Sequence, residues 1–144
     1  MTTTPFAWTD AFLLGHGPMD NVHREFVELV NNLLSCPDDE VLQHLQAFAR
    51  HAESHFGDEL KWMQETSFPP LQCHADEHAA VLKSVGEVLP LVEAGNIEIA
   101  RRLATELARW FPGHADYMDS ALAAWLVKQR FGGKPIVLKR GIAK

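Results

Sequence analysis

The chain has 144 residues, 47% hydrophobic and 22% charged, the size and balance of one folded domain, which excludes intrinsic disorder. Net charge is −6, and the acid-free stretch 131–144 contributes Lys134, Lys139, Arg140 and Lys144, so residues 1–130 carry −10. So acidic a body repels nucleic acid, and no apolar run reaches the roughly eighteen residues needed to span a bilayer.

The opening, MTTTPFAW, has neither the basic nor the apolar region of a secretory signal. Cys36 and Cys73 form neither a disulfide framework nor a CxxC pair, which points to reduced thiols and a cytoplasmic location. Residues 1–18, with Pro5, Gly15, Gly17 and Pro18, read as an irregular arm. Helical periodicity then predicts four helices, over about 19–36, 38–65, 70–93 and 96–130. They are separated by Pro37, by Phe68-Pro69-Pro70, and by Gly95-Asn96. The first stripe is Met19, His23, Phe26, Val30 and Leu33; the second is Leu45, Phe48, Ala52, His55, Glu59 and Trp62. The third runs Leu71, His74, His78, Val81, Val85, Val88 and Val92. The fourth runs Leu103, Leu107, Trp110, His114, Tyr117 and Ala121, with a kink or break expected at Pro112. Short connections between four amphipathic helices predict an all-α fold, an antiparallel up-down-up-down four-helix bundle over 1–130. A basic tail, 131–144, opens with Gly132-Gly133.

The chemistry lies in what interrupts the stripes. The chain has eight histidines and one tyrosine, and every helix places a polar, metal-competent side chain on its apolar face. Left unpaired in a core, such groups cost on the order of 1–3 kcal/mol each, whereas a shared metal satisfies them together. His74 and His78 stand four apart in HADEH, as do His55 and Glu59 in HFGDE, so each pair shares one helix face. His51 stands four before His55, so the spacing also admits His51/His55 as the chelating pair. His51 is expected near the site or on its rim; His16 and His44 are expected in solvent. Imidazoles mixed with carboxylate and no thiolate favour iron or manganese over structural zinc.

Taken in order, Trp8, MDNVH at 19–23, HFGDE at 55–59, FPPLQCHADEH at 68–78 and WFPGHADYMD at 110–119 resemble the hemerythrin family, in particular its single-domain bacterial members. The resemblance covers about 8–125 and implies a non-heme di-iron centre. By position, His74, His78 and His114 would bind one iron, and His23 and His55 the other. Glu59 and Asp119 would bridge them, with a solvent-derived oxo or hydroxo group as third bridge. Asp119 comes from the resemblance alone, because five residues after His114 is about 140° around an ideal helix. Reversible dioxygen binding at an open position on the second iron is the implied function, for storage or delivery to an oxygen-requiring enzyme.

The resemblance also implies that Trp110, Phe111 and Ala115 line the dioxygen pocket. Where the family commonly has Leu and Ile, this chain has Phe111 and Ala115. Other departures are Val22, Leu60 and His51, at positions often Gln, acidic and Tyr. Two further classes stay open: an enzyme acting on dioxygen or peroxide, and a sensor of oxygen or iron. Histidine-rich ligation, judged by what di-iron families do, favours a carrier over an enzyme, and no fused signalling domain is expected. The expectation is a monomer with no stable membrane association.

Overall fold

The computed structural model describes residues 6–130. Its helices are α1 (Gly17–Ser35), α2 (Val41–Glu65), α3 (Leu71–Glu93) and α4 (Ile97–His114), which continues through a π-helical turn, Ala115–Asp119, into α5 (Ser120–Arg130). Each helix packs on its neighbour in sequence, and α1 closes the ring against α4, giving the antiparallel four-helix bundle. Among the described residues there is no strand, and no helix is long and apolar enough to cross a membrane. The tail 131–144 lies outside the described residues.

The ends of the helices follow from local chemistry. Pro18 sits in the first turn of α1, and His16 caps it, its Nδ1 accepting from the Met19 N–H at 3.4 Å. His16 is thus a cap packed edge-on to Trp62, and is only half-exposed. Asp38 and Asp39 form a separate 3-10 turn before α2. Arg101 on α4 donates to the carbonyls of Leu33 and Cys36 and to Asp38, satisfying the carbonyl end of α1. Two helices end in the same six-to-one and five-to-two hydrogen-bond pair, which requires a left-handed residue. In α3 that residue is Gly95 (φ 106°), and in α2 it is Ser67 (φ 54°).

The core has two apolar layers. The larger contains Phe26, Leu33, Leu45, Phe48, Val85 and Phe111; the smaller contains Met19, Met63, Phe68, Leu122 and Ala123. The polar stripe residues lie between the layers in sequence on three helices: His23 between Met19 and Phe26, Glu59 between Phe56 and Met63, Asp119 between Ala115 and Leu122. A polar layer enclosed at both ends by hydrocarbon is shielded from water along the bundle axis.

The fourth stripe differs from its expected course. Pro112 is accommodated inside α4, and the helix departs from α geometry only at the π turn that follows. A π turn contains one extra residue per turn, so the inward face moves on by one position. Tyr117, expected inside, is 82% exposed, and Ala121 is exposed; Asp119, Leu122 and Ala123 are buried instead. Upstream of the turn, Leu107 and His114 are buried as expected, together with Ala100, Ala104 and Phe111, while Leu103 and Trp110 are half-buried.

Candidate metal centre

Seven side chains from four directions meet in the polar layer: His23 from α1, His55 and Glu59 from α2, His74 and His78 from α3, His114 from α4 and Asp119 from the π turn. All are buried, none more than 5% exposed. Their ligand atoms form two groups, each within 4.8 Å: Glu59, His74, His78, His114 and Asp119 in one, His23, His55 and Glu59 in the other.

The two carboxylates divide their oxygens between the same two sets of imidazoles. Glu59 Oε2 lies 2.7 Å from His55 Nε2 and 3.6 Å from His23 Nε2, while Oε1 lies 3.2 Å from His74 Nε2 and 3.4 Å from His78 Nε2. Asp119 Oδ2 lies 3.2 Å from His23 Nε2, and Oδ1 lies 2.9 Å from His74 Nε2 and 3.1 Å from His114 Nε2. The π turn makes this possible, since it brings the fifth residue after His114 back onto the inward face.

The donor set fits cations. His78 Nε2 and His114 Nε2 face each other at 3.0 Å, two ring nitrogens with room for one proton between them. His23 Nε2 and Glu59 Oε1 are within ion-pair distance of partners yet make no hydrogen bond. A buried cluster of lone pairs that cannot all be satisfied by one another is satisfied by metal.

Electrostatics show how the layer holds together in the metal-free protein. Burial pulls the His23 and His74 imidazoles down, but the Asp119 and Glu59 carboxylates outweigh it and raise both to about 9. Burial and the neighbouring Asp119 charge push the Glu59 carboxyl up, and contacts with His23, His55 and His74 hold it below its usual range. Burial likewise pushes Asp119 up, and His114, His23 and His74 hold it well below that range. Two imidazolium groups thus balance two carboxylates. His78 is pushed down to about 3, chiefly by burial, against the pull of Glu59 and with the push of His74 and His114. Its ring is neutral, as a ligand must be.

Sequence reasoning missed Glu77, inside HADEH. Its Oε1 accepts from His114 Nδ1 at 2.7 Å and from Trp110 Nε1 at 3.0 Å. A carboxylate on Nδ1 fixes the tautomer that leaves the His114 Nε2 lone pair pointing inward. Trp110 stacks on His114 (4.2 Å), and Phe56 stacks on His78 (3.9 Å, 8°), so both lie on the three-histidine side. Phe111 lies on the other side, edge-on to His23 at 5.3 Å and stacked on Phe26 at 4.9 Å; Ala115 is buried. His51 is outside both ligand groups, packed 5.4 Å from His55 and 3.8 Å from Glu25, and burial is the chief cause that lowers it to about 4. His44 is half-exposed, 3.5 Å from Glu40.

A four-helix bundle with a buried layer of histidines and carboxylates shared by all its helices is a metal-binding bundle by construction. The family model described as "Hemerythrin HHE cation binding domain" matches residues 16–126, and this chain belongs to the hemerythrin family. It is similar to a bacteriohemerythrin of Ralstonia nicotianae, 38% identical over 122 residues, 85% of this chain and 89% of that one. A bacteriohemerythrin of Stenotrophomonas maltophilia is 29% identical over 120 residues, 81% of this chain and 78% of that one. The fold matches a crystal structure of wild-type hemerythrin with a TM-score of 0.76 at 21% identity, covering 88% of this chain and 98% of that one.

Proposed function

We propose that this chain binds dioxygen reversibly at a non-heme di-iron centre, for storage or for delivery to an oxygen-requiring enzyme. The observation that carries the reading is the division of both carboxylates, Glu59 and Asp119, between a three-histidine and a two-histidine set. His74, His78 and His114 would hold one iron, His23 and His55 the other, with Glu59 and Asp119 shared. With a solvent-derived oxygen as third bridge, the three-histidine side would have six donors and the two-histidine side five, one short of the six that iron commonly takes.

Such a centre supplies two electrons in reserve and a coordination position for dioxygen. The protein's own part is to hold and to exclude. Glu77 orients His114 through Nδ1, while Phe56 and Trp110 pin the rings of His78 and His114 against rotation. Phe111, with Phe26 behind it and Ala115 one turn on, walls the two-histidine side with hydrocarbon, which keeps water from bound ligand. Five imidazoles and only two carboxylates favour holding dioxygen over cleaving it, so we read a carrier and not an enzyme.

We further assign residues 1–130 to the bundle with its arm and 131–144 to a separate basic tail. The protein would act as a monomer in the cytoplasm, where its two unpaired cysteines stay reduced. Purified protein is expected to hold about two irons per chain, one for each histidine set. Its spectrum should cycle between dithionite and air without a heme band. One tightly bound zinc, with no iron taken up under anaerobic loading, rejects the reading.

A further inference from the structure

We propose that the N-terminal arm, through Phe12 and Phe6, positions the Phe111 ring and thereby sets small-ligand access to the two-histidine side. The proposal rests on the di-iron reading for its ligand, though not for its geometry. Phe111 stands between His23 and the arm. Its inner contacts are His23 and Phe26; Phe12 meets it edge-on at 5.2 Å (68°) and Phe6 at 5.9 Å (71°).

The arm is tied to α1, the helix that carries His23, at three places. The buried Asp20 carboxylate accepts from the Leu14 N–H at 2.8 Å and the Gly15 N–H at 3.3 Å, one per oxygen. The Arg24 guanidinium lies 5.0 Å over the Trp8 ring. The Asn31 side-chain amide donates to the Phe6 carbonyl. The three-histidine side is closed differently, by Phe56 and Trp110, which belong to the bundle and stack directly on ligand rings. One side is therefore covered by rings of the bundle stacked on the imidazoles, and the other by a ring braced from outside. Removing the brace lets Phe111 turn away from His23 while the bundle stays folded.

The test measures azide association with di-ferric protein by stopped flow, in parent, Phe12→Ala, Phe12→Tyr and Asp20→Asn, with Val92→Ala as a core change on α3. Azide entry that waits on Phe111 should quicken by about tenfold or more in Phe12→Ala, and less in Asp20→Asn, which keeps one acceptor; Phe12→Tyr and Val92→Ala should stay within about twofold of parent. Unchanged entry in Phe12→Ala, or equal acceleration in Val92→Ala, overturns the proposal. A parent that takes up no iron rejects the di-iron reading instead. In that case, metal-free protein under dissolved dioxygen, a paramagnetic probe, still decides the role of the arm. Faster relaxation of the Phe111 and His23 ring protons in Phe12→Ala supports it, and unchanged relaxation overturns it.

Discussion

Glu77 shows how much of a metal site can reside in a residue that touches no metal. It accepts from His114 and Trp110 with one oxygen, so it fixes the His114 tautomer and the ring stacked upon it at once. Glu77→Ala should weaken metal retention by about 10- to 100-fold, read by chelator competition, with Glu77→Gln less affected because its amide oxygen still accepts. Equal retention in parent and Glu77→Ala would show that Trp110 stacking alone orients His114. Asp119→Ala should act differently in kind, since it removes one oxygen from each histidine set. It is expected to abolish the paired-metal spectrum even where one metal remains, and an intact spectrum would remove Asp119 from the shared position. Spacing alone made the pairs His74/His78 and His55/Glu59 visible, because an α-helix superimposes residues four apart. Nothing comparable marked Glu77, whose meaning depends on what faces it from α4.

At the level of the element, the π turn explains both what was legible and what was not. The α-helical period correctly places His114 inside, then carries Tyr117 and Ala121 inward, where the structure has Asp119, Leu122 and Ala123. One added residue per turn has no signature in hydrophobic spacing, so Asp119 was reachable only through family resemblance. The α2 end is a second local departure, and it yields a stability prediction. Ser67 holds the left-handed position of a motif that α3 closes with Gly95, and its side chain is exposed. Left-handed backbone costs an L-residue on the order of 1 kcal/mol that glycine is spared, so Ser67→Gly should raise stability by about 0.5–1 kcal/mol in denaturant melts. The neighbouring Phe68 N–H to Met63 carbonyl bond and the burial of Phe68 keep the turn in place in the variant. A loss of stability would mean that Ser67 makes a contact whose value exceeds its strain.

For the whole molecule, the polar layer that serves metal also governs folding without it. In metal-free protein, His23 and His74 have folded values near 9 against about 6.5 when unfolded, so the folded form binds more protons between these limits. Their contribution is complete below about pH 6.5 and disappears as pH rises through 9. On the acid side, His78 near 3 and His51 near 4 stay neutral when folded while the unfolded chain takes up protons, so stability falls as pH drops from about 6.5. Glu59 and Asp119, both held below the usual carboxylate range, add to the loss on further acidification. Metal-free protein should therefore melt highest near pH 6.5. Metal reverses the alkaline limb, because loading needs deprotonated imidazoles and affinity climbs as His23 and His74 lose their protons. The gap in melting temperature between iron-loaded and chelator-stripped protein, measured anaerobically, should widen from pH 6.5 to 9. A stripped protein whose melting temperature holds steady or rises over that interval would mean that the two carboxylates are not neutralised by His23 and His74. The buried layer would then need another source of positive charge to fold at all.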